Sequence, residues 1–245
     1  MQPGLVQPAL QKVHLQDFPE HSPGSLPTLE FVLATSDFVF VHVPKTAGRF
    51  IRTVLHEHFD VRYEDDLHPA YGDVPERFAD LPAVCVIRNP WDWYVSLYHY
   101  VHKVAEREPG RVAGHLWSRV MGEGRHNFTQ SVRLACGLRD VDGPAPRWLK
   151  EMQRLDADYY TAVHHLHTGG SQRLSVVRFE SLETDLPAFL ESNGVPVPNG
   201  LVERLRTAEP VNATKRGHYR RYYDAQTRDL VARTSHLAAS YGYAY

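Results

Sequence analysis

An α/β fold, doubly wound around a central and mainly parallel sheet, is what this sequence predicts, and three observations predict it. Phe38 to Val43 form a nearly unbroken apolar run, as expected of a strand covered on both faces, and it leads straight into a Pro-Lys-Thr-Ala-Gly turn and a helix. Ala83 to Ile87 repeat the design, with Asn89-Pro90 ending the run and a second helix following. At 245 residues, 42% hydrophobic and 23% charged, the chain is long enough to bury the core such a fold needs.

The elements follow in order. Residues 1–30 hold Pro3, Pro8, Pro19, Pro23 and Pro27 with little periodicity, and read as an irregular arm before a single domain spanning 31–245. The first strand covers 37–43; Phe50, Ile51, Val54 and Leu55 then recur at helical spacing. The helix after the second strand carries Val95, Tyr98 and Val101 to about residue 104, ahead of a Pro109-Gly110 break. Residues 112–166 read as a mostly helical insertion, with apolar groups at Leu116, Trp117 and Val120, at Phe128, Val132 and Leu134 to Ala135, and from Trp148 to Leu155, interrupted by Gly143-Pro-Ala-Pro146. Thr168-Gly-Gly-Ser171 is a turn, Pro196, Pro198 and Asn199-Gly200 precede a further helix, and Asp224 is the N-cap of the last one, which carries Leu230, Val231 and Leu237.

The first turn is an architecture for holding an anion. The unpaired amides of residues near 46–50 open a helix beside the ammonium of Lys45. A nucleotide-triphosphatase loop is longer and ends in Gly-Lys-Ser/Thr, whereas this loop is short and places its lysine first. Arg88 adds a guanidinium at the end of the second strand, where a fork of N–H donors suits a dianionic phosphate.

Both motifs resemble those of the sulfotransferases that use 3′-phosphoadenosine-5′-phosphosulfate (PAPS), in the Pro-Lys-Thr-Ala-Gly form of carbohydrate and bacterial members. The resemblance implies a P-loop-NTPase-like three-layer fold in which Lys45, Thr46, Ala47 and Gly48 hold the 5′-phosphosulfate, and Arg88 with Ser96, eight residues on, holds the 3′-phosphate. Where the family continues with Thr and Ser or Trp, this chain has Arg49 and Phe50, and a guanidinium stands in for the hydroxyl contacts. The segment from Leu174 to Leu186 looks like the family's third strand, with Phe179 lining the adenosine pocket. The segment from Asn212 to Asp224 is similar to the loop that closes over the nucleotide, with Lys215, Arg216 and Gly217 as 3′-phosphate contacts. In the family an insertion such as 112–166 shapes the acceptor site.

Composition narrows the partners. A formal net charge of −2 gives no global drive toward nucleic acid, and the basic chemistry is local, with Lys215, Arg216, His218, Arg220 and Arg221 interleaved with Tyr219, Tyr222 and Tyr223. That cluster reads as a solvated face over packed tyrosines or, with the upstream motifs, as a clamp on one nucleotide. No apolar run approaches the roughly 18 to 20 residues of a membrane span, and the start lacks a secretory signal, so a cytoplasmic protein is expected. The sequons at Asn127 and Asn212 are then chance matches, and a homo-oligomer is compatible with the composition. Two cysteines, Cys85 in a strand and Cys136 in a helix, read as reduced, buried thiols.

The activity this implies is transfer of a sulfuryl group from PAPS to a hydroxyl or amine of a small-molecule, carbohydrate or lipid-linked acceptor, releasing 3′-phosphoadenosine-5′-phosphate (PAP). Lys45 stabilises the leaving phosphate oxygen, and no metal is required. For the base, His68 occupies the place of a histidine in a short loop of related sulfotransferases. His42 is a rival but reads as a buried strand histidine, and Glu64, Asp65 and Asp66 read as an acidic loop edge. His99 and His102 read as surface or packing residues, and His164, His165 and His167 lack a companion at metal-ligand spacing. Two alternatives stand beside this reading: a magnesium-dependent phosphoryl-transfer enzyme of related fold, and a nucleotide-binding module without catalysis.

Overall fold

The computed structural model describes residues 31–65, 70–107, 125–137, 147–207 and 216–245. The arm 1–30, Asp66, His68, Lys215, the breaks at Pro109-Gly110 and Gly143–Pro146, and residues 112–124 of the insertion lie outside the described residues.

Five strands form one sheet: β1 (Val32–Thr35), β2 (Val39–Val41), β3 (Val61–Asp65), β4 (Ala83–Ile87) and β5 (Leu174–Arg178), in the spatial order β3-β1-β2-β4-β5. β2, β4 and β5 run parallel, with Val41 opposite Cys85 and Ile87 opposite Arg178, whereas β1 is antiparallel to both β2 and β3. The sheet is therefore mixed, and the expectation of a mainly parallel one is corrected to its β2-β4-β5 side.

Two unanticipated strands make the difference. β1 is a short apolar run joined to β2 by a tight turn in which the Thr35 hydroxyl accepts from the amides of Asp37 and Phe38 at 3.1 and 3.0 Å. β3 is a charged edge strand, the usual protection against edge-to-edge pairing, and carries little apolar signal. Glu64 and Asp65 thus lie in a paired strand rather than a loop edge, and Glu64 meets Arg52 and His56. The β2 ladder is shorter than the apolar run because the chain turns away at Pro44, although His42 still donates its amide to the Phe31 carbonyl at 3.0 Å.

Alternation along the strands builds a core on each face. Val32, Ala34, Val39, Val41, Ala83 and Cys85 point to one side, and Leu33, Phe38, Phe40, Val84 and Val86 to the other. The first side is covered by α2 (Pro90–Arg107), α3 (Phe128–Gly137), α4 (Arg147–Leu155), α5 (Tyr159–Thr168), α8 (Ala225–Thr234) and α9 (His236–Ser240). The second is covered by α1 (Gly48–His58), α6 (Leu182–Ser192) and α7 (Leu201–Arg206). The described parts of the insertion, α3 to α5, are helical as expected. Asp224 caps α8, accepting from the Thr227 amide at 2.7 Å. Leu237, however, sits on the separate α9, because Ser235 ends α8 and caps the next turn. Cys85 and Cys136 are free and buried, and burial pushes both thiols well above their ordinary range.

One consequence of this topology positions the site. β2 feeds α1 on one face while its neighbour β4 feeds α2 on the other, so the two connections diverge and leave a crevice at the carboxyl ends of the parallel strands. Among the described residues no helix is long and apolar enough to cross a membrane.

Candidate anion-binding site

The loop Pro44–Gly48 begins this crevice, and the carbonyls leading into it are engaged by donors. The Thr46 hydroxyl donates to Val43 O at 2.7 Å, the Trp93 indole to Pro44 O at 2.7 Å, and Arg88 Nη1 to Lys45 O at 3.3 Å. Lys45 and Ala47 adopt left-handed backbone angles, φ 68° and 69°, and left-handed Ala47 followed by helical Gly48 forms a concave nest of amides. Non-glycine residues hold this conformation at a cost of about 1–2 kcal/mol each, a strain typical of binding loops.

α1 then opens without a side-chain cap and without an acidic residue in its first turn. By contrast α5, α8 and α9 are capped by Asp158, Asp224 and Ser235. An uncapped helix N-terminus beside a nest of amides is a place for an external anion. Gly48 is required here for packing: a Cβ on it would overlap the imidazole of His42, which is buried and lies against Phe31 with ring centres 4.8 Å apart.

The second motif forms the opposite wall. Asn89 caps α2, its side-chain oxygen accepting from the Trp91 amide at 3.0 Å, and Pro90 fills the first helical position, which needs no N–H donor. Arg88 is held on several sides: its amide donates to the Tyr160 hydroxyl at 2.9 Å, its Nε to Asp92 at 2.7 Å, and its guanidinium lies 4.6 Å from the centre of the Phe179 ring. Tyr160 stacks on Trp93 at 4.2 Å and donates its own amide to Tyr94, whose hydroxyl donates to buried Asp158 at 3.0 Å. Arg216, from the C-terminal segment, reaches the other oxygen of Asp92 at 2.6 Å.

Helical spacing puts Asp92, Ser96, His99 and Lys103 on one face of α2. Tyr100, one residue from that face, carries the Lys45 ammonium 3.9 Å above the centre of its ring. Burial pushes the Lys45 ammonium from its ordinary value of 10.5 down to about 7, and the positive charges of Arg88, Arg49, Arg216 and Lys103 push in the same direction. A lysine so placed is held ready for an anion, which would relieve the repulsion. His99 bonds the Tyr222 hydroxyl through Nε2 at 2.9 Å, and burial, Arg216 and His102 lower its pKa, which favours the neutral imidazole.

The structure thus brings together Lys45, Thr46, Ala47, Gly48, Arg49, Arg88, Ser96, Phe179 and Arg216, but not in uniform roles. Thr46 is fully buried, with its hydroxyl engaged by the Val43 carbonyl. Arg49 is exposed on the first turn of α1, while Phe50 turns its ring into the second core beneath Arg204. The basic cluster divides: Arg216 turns inward to Asp92, Gly217, Arg220 and Arg221 are exposed, and Tyr219, Tyr222 and Tyr223 pack on the core. His165 pairs with Glu151, His167 bonds Val163 O, and His164 lies against Cys85. Asp92, Trp93, Tyr100, Lys103 and Tyr160 were not singled out from the sequence; for Asp92 and Lys103 the signal was their helical spacing from Ser96.

No family model, no curated protein and no solved structure matches this chain. The class that fold and site define is an α/β protein with a cationic crevice at the carboxyl ends of its parallel strands.

Proposed function

We propose that this chain is a PAPS-dependent sulfotransferase with a P-loop-NTPase-like core, transferring a sulfuryl group to a hydroxyl or amine of a small-molecule, carbohydrate or lipid-linked acceptor and releasing PAP. The observation that carries the reading is the gathering of Lys45, Arg49, Arg88 and Arg216 beside an uncapped helix N-terminus. That donor set fits a ligand bearing two separate anionic groups, one at the loop amides and one at the arginines.

In the reaction, the acceptor oxygen or nitrogen bonds to sulfur as the bond between sulfur and the bridging phosphate oxygen breaks in line, and negative charge gathers on the departing phosphate. Lys45 and the amides of Ala47 and Gly48 stabilise that charge, which is larger in the transition state than in the bound donor. Arg88, Arg216 and Ser96 hold the 3′-phosphate, Phe179 borders the adenosine, and the acceptor's proton passes to His68. This chemistry needs no metal, since cationic side chains and a helix terminus serve the role magnesium has in phosphoryl transfer.

The test is calorimetric titration of metal-free protein with PAP, using ATP and ADP with and without magnesium as controls. Magnesium-independent preference for PAP is expected. Preference for ATP with magnesium would put the phosphoryl-transfer reading in its place.

A further inference from the structure

Asp92 stands where simple electrostatics would not put it. A carboxylate beside a phosphate site repels the ligand, and this one lies between the two arginines assigned to the 3′-phosphate. Its Oδ2 takes both Nε, at 2.7 Å, and Nη2 of Arg88, and its Oδ1 takes Nη2 of Arg216 at 2.6 Å. The side chains of Arg88, Asp92 and Arg216 are 14%, 17% and 13% exposed, so this is a largely buried triad rather than a screened surface pair.

The connectivity gives the triad a purpose. Arg88 directly follows β4, whereas Arg216 comes from the far C-terminal segment, ahead of α8. Two guanidinia brought close repel, more strongly where water is largely excluded, so a carboxylate between them is what lets them share one place. The planar fork of each guanidinium also fixes its direction once one edge is engaged, because the remaining N–H groups then point along set lines. Arg88 is fixed further by Lys45 O and by the ring of Phe179.

We propose that Asp92 is the positioning residue for phosphomonoester recognition: it joins Arg88 to Arg216 and orients both toward the 3′-phosphate of a nucleoside 3′,5′-bisphosphate, so that removing its charge weakens binding. This rests on the PAP reading of the site. The competing role is that of a placeholder, a carboxylate occupying the arginines until phosphate displaces it, and the two roles predict opposite signs for the near-isosteric Asp92→Asn.

The experiment is titration of wild type, Asp92→Asn and Asp92→Glu with PAP and with adenosine 5′-monophosphate, which lacks the 3′-phosphate. Positioning raises the PAP dissociation constant about tenfold or more in Asp92→Asn, leaves the monophosphate within about threefold, and makes Asp92→Asn and Arg216→Gln non-additive for PAP. Tighter or unchanged PAP binding in Asp92→Asn overturns the proposal, as does equal weakening for both nucleotides. Should Asp92→Asn not fold, Asp92→Glu decides by the same comparison, since it keeps the charge and displaces it by one methylene. Wild type that binds no PAP defeats the sulfotransferase reading and the proposal together, an outcome separate from wild type that binds PAP and a variant that binds it no worse.

Discussion

Lys45→Met should make the ligand-free protein more stable while abolishing the proposed sulfuryl transfer. The ammonium is pushed from 10.5 to about 7 by burial and by Arg88, Arg49, Arg216 and Lys103. At about 1.4 kcal/mol per unit, that displacement sets an upper limit near 5 kcal/mol on what charging Lys45 costs the fold. The contact with the Tyr100 ring, about 0.5–2 kcal/mol, and the solvation Lys45 retains both reduce the gain, leaving about 2 kcal/mol for methionine. In a chain of this size that is a rise of about 4–8 °C in Tm.

The sign with pH follows from linkage. Below pH 7 Lys45 is charged folded and unfolded, and the penalty is full. Between about 7 and 10.5 the folded state sheds the proton that the unfolded chain keeps, so the penalty fades as pH rises. The advantage of Lys45→Met should therefore be largest at pH 6 and be gone by about pH 9, since two pH units at about 1.4 kcal/mol each remove more than the 2 kcal/mol gained. Urea and thermal unfolding at both pH values, in buffer free of phosphate and sulfate, measure it. Methionine tolerates the left-handed backbone no better than lysine, so the change isolates the charge. A variant less stable than wild type at pH 6, or one whose advantage does not vary with pH, would refute this account of the crevice.

The remaining predictions bear on the loop and the chemistry. Gly48→Ala forces a methyl into the His42 ring and should destabilise by about 2 kcal/mol or more in urea unfolding, whereas Ala47→Gly relieves a left-handed residue and should stabilise by about 0.5–1 kcal/mol. Arg88→Ala should raise the PAP dissociation constant at least tenfold by calorimetry, since it removes the proposed phosphate contact and releases the Lys45 carbonyl; an affinity matching wild type would strip Arg88 of its assignment. His68→Ala should lower turnover with PAP affinity preserved, and an unchanged rate would move the proton to another group, with His99 the first to test by His99→Gln.

Much of the scaffold was legible because it is written locally. The β4 run Ala83–Ile87, the Asn89-Pro90 start of α2 and the Asp224 cap of α8 are each carried by neighbours within a few residues, where propensity and periodicity act. β1 and β3 escaped because one is brief and the other is a half-exposed charged edge, so neither offers a long apolar or alternating pattern. The division of one expected C-terminal helix into α8 and α9 turns on Ser235, whose capping role depends on where the preceding turn ends.

What the sequence determined by itself is the apparatus of the site: a lysine-first turn after a buried strand, a helix opening directly behind it, an arginine at the end of the next strand. Those features depend on residues adjacent in the chain, and chain order alone sets them beside one another. What only the tertiary structure decided is which partners each charge has. Asp92 joins Arg88 to Arg216, Tyr100 lies beneath Lys45, Trp93 claims the Pro44 carbonyl, and the Thr46 hydroxyl bonds back to Val43. Most of these pairings span distant segments and leave no period in the sequence, because they are fixed by the divergence of α1 and α2 to opposite faces of the sheet, which brings the loop, the helix and the C-terminal segment to the same crevice.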